Sequence, residues 1–127
     1  MTTALKGAVK NRKPVVSAAA DAEGHVDLAS TQKEFELIID TGFTGFIVLP
    51  RKLVPKLDIK FLGYERFALA TGKTMDLPVF EGWVKTQNDP MKIEMVFGDE
   101  IIGMAMLQMI GSKLIVDFEK NEVELIG

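Results

Sequence analysis

One short motif in the chain carries residue types that can do chemistry, the run Asp40-Thr41-Gly42. The aspartate follows an apolar segment, residues 37–39, and a buried strand does not usually end on a carboxylate for packing reasons. A carboxylate in that position can donate or accept a proton in a reaction. Aspartate and glycine also form ordinary turns, so the three residues alone are weak evidence for an active site.

Peptide hydrolysis by carboxylates requires two of them, close enough to share one proton. The ionised carboxylate activates a water molecule while the protonated one polarises the carbonyl group. Such a pair titrates as a unit. The chain contains a single Asp-Thr-Gly motif, so the second carboxylate has to come from another subunit. A two-fold axis passing beside Asp40 would place it next to its own copy.

The composition removes most other catalytic chemistry. The absence of cysteine excludes disulfides, thiolate metal sites and cysteine nucleophiles, and the single histidine, His25, excludes a zinc helix or a histidine cage. His25 lies in a polar stretch and is interpreted as a surface residue. The acids Asp76, Asp99 and Glu100 are alternatives, but they lack the regular spacing of a Mg²⁺ or Ca²⁺ site. We expect no metal and no cofactor.

Length and charge narrow the class of protein. The chain has 127 residues, 47% hydrophobic and 26% charged, which predicts one globular domain over residues 1–127. The net charge is −3 and the basic residues are scattered, so nucleic acid is not an expected partner. The chain has no apolar run near the ~20 residues that span a bilayer and no signal segment. We therefore expect a cytoplasmic protein with no membrane partner.

The elements that must position Asp40 are short extended pieces separated by turn residues, a pattern typical of an all-β sandwich or barrel. Strands are expected at residues 5–9, 15–20, 35–39, 46–49, 61–69, 75–84, 92–97, 114–116 and 122–126. The first hairpin should turn at residues 11–14. Short helices are expected from Pro50 through Val54, limited by Pro55, and at residues 104–110. Residues 25–33 are polar and the least predictable.

The order of these elements resembles that of the retropepsin-like aspartic proteases. In that family an N-terminal hairpin and a strand lead to Asp-Thr/Ser-Gly, then come a strand, a flap hairpin, an apolar-apolar-Gly segment with a short helix, and a final strand pair. Ile101-Ile102-Gly103 matches the apolar-apolar-Gly segment. The run Asp-Thr-Gly-Phe-Thr-Gly at residues 40–45, followed by an apolar strand and Leu-Pro, looks most like small prokaryotic single-domain members.

The resemblance implies an all-β retropepsin-like closed barrel with one or two short helices. It also implies a homodimer, with one Asp40 from each chain, that hydrolyses peptide bonds as an aspartic endopeptidase. Thr41 would lock the two loops across the axis through its hydroxyl group. Gly42 would let the backbone approach the substrate and the aspartate pair closely.

By the same resemblance, Ala70, Thr71 and Gly72 belong to a flap that closes over an extended peptide or protein substrate, held by backbone hydrogen bonds. Phe43 stands where the family usually has alanine, and residues 25–33 look like an insertion. We expect Phe43 to pack in the core. A Phe43 side chain that filled the cleft would favour an alternative function, a dimeric peptide-binding or scaffold module of the same fold that cleaves slowly or not at all.

Overall fold

Strands dominate the computed structural model, which describes residues 2–28, 33–68, 71–86 and 89–127. The strands are β1 Thr3–Lys10, β2 Lys13–Ala20, β3 His25–Asp27, β4 Phe35–Ile39, β5 Ile47–Pro50, β6 Phe61–Ala68, β7 Thr74–Lys85, β8 Met91–Gly98, β9 Ile101–Ile102, β10 Lys113–Asp117 and β11 Glu122–Ile126. A 3₁₀-helix spans Arg51–Lys56 and one α-helix, α1, spans Met104–Ile110. The prediction of an all-β chain with short helices is confirmed.

The strands pair into one sheet in the order β10-β11-β1-β2-β3-β7-β8-β5-β9-β4. Strand β4 pairs with β9 on one side and with β2 on the other. The paired strands therefore run from β2 through β3, β7, β8, β5, β9 and β4 back to β2. Strand β6 pairs with β7. As a result β4, which leads directly into Asp40, is hydrogen-bonded on both edges.

Two clusters of buried apolar side chains form the interior. The larger one collects residues from most of the strands and from α1, including Leu37, Leu49, Met95 and Ile102. The second is built from Phe43, Val48, Phe67, Val79 and Val96. Burying an aliphatic or aromatic side chain of this size stabilises the fold by about 1.5–3 kcal/mol. The second cluster contains Phe43, the residue directly after Asp40-Thr41-Gly42.

The first hairpin turns on two residues rather than the four predicted. Lys10 pairs with Lys13, and the intervening Asn11 and Arg12 have φ values of 51° and 65°. Two successive positive φ angles match the right-handed twist of the flanking strands. Pro14, predicted as part of the turn, lies inside β2 just before the ladder to β4 begins at Val15.

The short helix after β5 also differs from the prediction. Pro50 is the last residue of β5 instead of the first of the helix, and Pro55 lies inside the 3₁₀-helix instead of ending it. Proline lacks an N–H group, so it forfeits a single hydrogen bond here. The 3₁₀-helix ends at Lys56, and the Leu57 N–H that follows donates to the Val54 carbonyl over 3.4 Å.

Part of the segment at residues 25–33 is ordered into the sheet. Strand β3 pairs antiparallel with β2 and parallel with β7, with His25 opposite Trp83. Residues 29–32 lie outside the described ranges. In the ranges that are described, no helix is both long enough and apolar enough to cross a membrane.

Candidate functional site

Asp40 lies at the point where β4 leaves the sheet. Ile39, the last residue of β4, is opposite Ile102 in the parallel ladder to β9, and the Asp40 N–H donates to the Ile102 carbonyl over 3.0 Å. The strand alternates buried and half-buried residues up to Ile39, and Asp40 is half-buried. The backbone of the aspartate is therefore fixed by the sheet although its side chain reaches the surface.

A tight turn orients the Asp40 carboxylate. The Gly42 N–H donates to Asp40 Oδ1 over 2.9 Å, and the Phe43 N–H donates to the Asp40 carbonyl over 3.2 Å. Asp and Gly favour such turns because the aspartate side chain accepts from the backbone two residues ahead. Thr41 and Gly42 are both exposed at the tip of the turn. One carboxylate oxygen is therefore held by a backbone hydrogen bond.

Strand β9 and the start of α1 pack against the loop that carries Asp40. Strand β9 lies between β4, to which it is parallel, and β5, to which it is antiparallel. Beyond it the Gly103 N–H donates to the Phe46 carbonyl over 2.8 Å, and the Met104 N–H donates to the Phe43 carbonyl over 2.8 Å. The two motifs singled out in the sequence, Asp-Thr-Gly and Ile-Ile-Gly, are thus joined directly.

Gly103 is required by this close approach. A Cβ atom added there would collide with the Gly45 carbonyl oxygen and would lie 2.5 Å from Phe43 Cδ2 and 2.8 Å from the Phe43 carbonyl oxygen. Real Cβ contacts are essentially never that short. Only a residue without a side chain lets the start of α1 approach the loop after Asp40.

Phe43 is core, as predicted. Its side chain is 6% exposed and its ring centroid lies 5.5 Å from that of Phe67 on β6. An aromatic pair at this spacing adds about 0.5–1.5 kcal/mol to the burial of its area. The contact anchors one strand of the β6–β7 hairpin on the loop that carries the aspartate.

The β6–β7 hairpin carries the residues that the resemblance assigned to a flap. Thr71 and Gly72 are exposed between its strands, and Gly72 has a φ of +85°, which suits glycine in a tight turn. Ala70, the third predicted flap residue, lies outside the described residues. The alternative acid Asp76 is bound across the hairpin, because its Oδ1 accepts from Arg66 Nε over 3.1 Å.

A cavity of about 140 Å³ lies between the loop and the hairpin. It is lined by Phe43, Thr44 and Gly45 of the loop, by Glu65 of the hairpin and by Glu94 of β8, among others. Hydrogen bonding between Glu65 and Glu94, burial, and repulsion between the two charges raise the pKa of Glu94. The sequence did not indicate this pair, because the two residues lie on β6 and β8, which are brought together by their pairing with β7. Two larger hollows, about 420 and 380 Å³, are not lined by Asp40.

A second group of polar side chains lies at the turn between β2 and β3. Ligand atoms of Asp21, Glu23 and His25 all fall within 4.8 Å of one another, a set that could hold a metal ion. His25 Nδ1 lies 2.9 Å from Asp21 Oδ2, and Asp21 Oδ1 accepts the N–H groups of Glu23 and His25. Burial raises the pKa of Asp21, but these backbone hydrogen bonds and the nearby imidazole lower it overall. His25 therefore has an acidic partner that the sequence pattern did not reveal.

The structure thus brings Asp40, Thr41 and Gly42 into one turn, and places Thr71 and Gly72 on the hairpin that packs against the same loop. Asp99 and Glu100, the remaining alternative acids, are exposed just before β9. Comparison with known proteins gives no match to the chain among family models, curated proteins or solved structures.

Proposed function

We propose that this protein is an aspartic endopeptidase of the retropepsin-like type, with a catalytic pair formed by Asp40 of two identical chains. The observation that carries the proposal is the placement of Asp40. It is held at the end of a strand by its backbone bond to Ile102, while the Gly42 N–H fixes one carboxylate oxygen. A pre-oriented carboxylate at the surface of a rigid sheet is what acid–base catalysis requires.

The reaction follows from the chemistry of two carboxylates that share a proton. The ionised one takes a proton from a water molecule, whose oxygen attacks the carbonyl carbon of the peptide bond. The protonated one donates its proton to the carbonyl oxygen. Collapse of the resulting tetrahedral intermediate breaks the C–N bond. The carboxyl group that took the water proton passes it to the departing amine, and the other carboxylate regains a proton from a hydroxyl group of the intermediate. No metal or cofactor takes part.

The strand pairing supports the fold that this function needs. The series of paired strands that leaves β2 and returns to it through β4 is consistent with the closed barrel of the resemblance. The placement of β9 between β4 and β5 joins Gly103 to the loop of Asp40. An extended peptide would bind between that loop and the hairpin, held by backbone hydrogen bonds as an added strand.

The surface around Asp40 supports assembly into a homodimer. Thr41 and Gly42 are exposed, and so are Thr71 and Gly72 on the hairpin. Small residues at the tip of the turn allow the turn of a second copy to approach closely. A single chain supplies half of the carboxylate pair, so the site would be complete only across a two-fold axis.

The alternative function is a binding or scaffold module that cleaves slowly or not at all. A Phe43 side chain that fills the cleft would favour it. Phe43 is buried against Phe67, Val48 and their neighbours in the second cluster, and it also lines the cavity between the loop and the hairpin. The alternative therefore stands as a second candidate function, and a cleavage test separates it from the protease.

The test is cleavage of a peptide library by the wild type and by Asp40→Asn. The substitution keeps the size of the side chain and its acceptor for the Gly42 N–H, but removes the ionisable group. Loss of acid–base catalysis should lower the cleavage rate by roughly 10²–10⁴-fold. Asp99→Asn, an exposed acid in a loop, is the matched control and should cleave at the wild-type rate. Equal cleavage by Asp40→Asn and the wild type would rule out the proposal.

A further inference from the structure

The segment that runs from the 3₁₀-helix into β6 carries an excess of positive charge. Residues 51–66 contain five basic residues and two acidic ones, whereas the whole chain contains 15 lysines and arginines against 18 acidic residues. One of the five, Arg66, binds Asp76. The other four are exposed and form no ion pair within the part of the chain that the structure describes: Arg51, Lys52, Lys56 and Lys60. Their charge is therefore open to an anionic partner.

The acids on this segment and on the strand beside it do not compensate the four cations. Glu65 hydrogen-bonds to Glu94. Glu81, on β7, is paired with Lys92 at 3.3 Å. Asp58 is exposed between the helix and β6, and its single charge balances at most one of the four. The surface therefore keeps a net positive charge in a chain whose total charge is −3.

Large apolar side chains are exposed among these cations. Val54 of the 3₁₀-helix and Phe61, Leu62 and Tyr64 of β6 are between 45% and 75% exposed. Successive residues of a regular strand point to opposite faces, but the register of β6 against β7 shifts between Phe61 and Gly63. This shift interrupts the alternation, and Phe61 and Leu62 are both exposed. Gly63 has a φ of +127°, a conformation that favours glycine, so the sequence is suited to the irregularity.

Aromatic contacts connect β6 to the end of the sheet from which the 3₁₀-helix starts. The ring centroid of Phe61 lies 5.6 Å from that of Phe80, which lies 5.3 Å from that of Phe97. The helix follows Pro50, which pairs with the residue after Phe97. Residues 57–60 join the helix to β6, so the end of the helix lies within about 18 Å of the start of the strand. The cations and the apolar side chains therefore share one region of the surface.

Cations beside exposed aliphatic and aromatic side chains match the surface of an anionic lipid bilayer. The headgroups attract lysine and arginine, and apolar side chains enter the boundary between headgroups and acyl chains. A single-stranded nucleic acid would instead need ring faces on which its bases stack in succession. The ring of Phe61 meets those of Tyr64 and Phe80 at 75° and 60°, and Val54 and Leu62 have no ring. The side chains therefore favour lipid over nucleic acid.

We propose that this basic–apolar surface binds the face of an anionic lipid bilayer. The residues that form it are Arg51, Lys52, Val54, Lys56, Lys60, Phe61, Leu62 and Tyr64. The expectation of no membrane partner rested on the lack of a segment that could span a bilayer, and a protein that lies on the surface needs no such segment. The binding goes beyond the proposed function and does not involve Asp40.

Vesicles of defined composition test the proposal. The protein should co-sediment with phosphatidylcholine vesicles that contain about one third phosphatidylglycerol, because the anionic lipid gives the surface a negative potential. Vesicles of phosphatidylcholine alone, which carry no net charge, should bind the protein roughly tenfold more weakly or less. Raising the salt concentration from about 0.1 M to about 0.5 M screens the attraction and should release most of the bound protein.

Matched variants locate the contact. Lys52→Gln combined with Lys56→Gln removes two cations from the surface and should weaken binding to the anionic vesicles roughly 30-fold. Lys113→Gln combined with Lys120→Gln removes the same charge from exposed positions of the β10–β11 hairpin and should change the affinity by about twofold or less. Leu62→Ser should weaken binding roughly fivefold. Its control, Phe118→Ser, removes an exposed apolar side chain of the β10–β11 hairpin and should leave binding unchanged.

Three results would overturn the proposal. They are a lack of binding to either kind of vesicle, equal binding to neutral and anionic vesicles, and equal weakening by the two double lysine variants. Binding of a single-stranded oligothymidylate that is lost in the Lys52/Lys56 variant, without binding to vesicles, would assign the surface to nucleic acid instead. None of these results alters the cleavage test of Asp40→Asn, so the two proposals fail separately.

Discussion

Asp40 is positioned by backbone groups rather than by neighbouring side chains. Its own N–H is bound to the Ile102 carbonyl, and its carboxylate is bound by the Gly42 N–H. Backbone donors in a sheet and a tight turn are more rigid than long side chains, so the orientation of the carboxylate depends on how closely the segments around it pack. The most sensitive point in that packing is Gly103.

Gly103→Ala should destabilise the protein, because the new Cβ would meet Phe43 atoms at 2.5 and 2.8 Å and the Gly45 carbonyl oxygen. We expect a loss of about 1–3 kcal/mol in the free energy of unfolding, measured by urea denaturation. Gly98→Ala is the control, since its Cβ would have Val48 Cγ1 at an ordinary 3.5 Å. Equal stability of the two variants would show that the approach of α1 to the loop is not tight.

The Glu65–Glu94 pair should make the stability of the protein depend on pH. Its hydrogen bond, burial and charge repulsion raise the pKa of Glu94 in the folded state, so the folded protein holds a proton more tightly than the unfolded chain does. This raised pKa adds to the free energy of unfolding at pH values below the ordinary pKa of glutamate. The added stability is lost as the pH rises through the raised pKa of Glu94. The pair therefore weakens the fold towards neutral pH.

Glu65→Gln should flatten that decline, since a neutral amide no longer repels an ionised Glu94. Urea unfolding at a series of pH values measures the slope of the free energy of unfolding against pH. Glu119→Gln, an exposed residue in the β10–β11 turn, should keep the wild-type slope. A slope that is unchanged in Glu65→Gln would show that the two carboxyl groups do not share a proton.

At the scale of elements, the β6–β7 hairpin packs on the Asp40 loop through the second cluster, in which Phe67 contacts Phe43. Most other side chains of β6 are exposed. Tyr64, on the same strand, is 75% exposed. Phe67 lies opposite Met75, next to the turn that joins β6 to β7. The hairpin is therefore held against the Asp40 loop close to its turn.

Phe67→Ala should remove that contact. Deleting a buried phenylalanine ring costs roughly 3–5 kcal/mol in the free energy of unfolding, and cleavage should fall as well because the hairpin would no longer be held over the loop. Tyr64→Ala removes an exposed ring from the same strand and should change stability by about 0.5 kcal/mol or less. If Tyr64→Ala were as destabilising as Phe67→Ala, the hairpin would be anchored elsewhere.

The elements that the sequence predicted well are those with a strong local signal. Strand β4 has alternating apolar residues, α1 has residues of high helix propensity, and the closing hairpin has a polar turn between two apolar runs. The three-residue β3 has no such signal and exists because β2 and β7 lie on either side of it. The first turn was predicted too long because Pro14 is usually a turn residue.

The parts of the candidate site also differ in how far the sequence predicts them. Asp40 and Gly42 could be predicted because the turn they form is local. The link from Asp40 to Ile102, the Glu65–Glu94 pair and the Asp21–His25 pair depend on how strands are paired and how turns are shaped, which residue types alone do not determine. The resemblance singled out Ile101-Ile102-Gly103 as a motif but predicted none of these three contacts.

At the scale of the whole molecule, the proposed site is divided between two chains, and cleavage should therefore depend on concentration. Below the dissociation constant of the dimer, the cleavage rate per chain should fall on dilution, because the fraction of paired Asp40 residues falls. Parallel measurements of mass by sedimentation and of cleavage test this. A constant rate per chain in a sample whose mass is that of one 14.0 kDa chain would contradict the shared site.

The hydrogen bond between the Asp40 N–H and the Ile102 carbonyl also limits how early the site can form during synthesis of the chain. Its carbonyl partner follows Asp40 by 62 residues (102 minus 40). At a synthesis rate of about 5–20 residues per second, the ribosome takes roughly 3–12 s to cover that distance. Long-range strand pairing of this kind is also slow to form. A growing chain therefore carries the aspartate for several seconds before β9 exists to hold it, which delays the appearance of the site until most of the chain has been made.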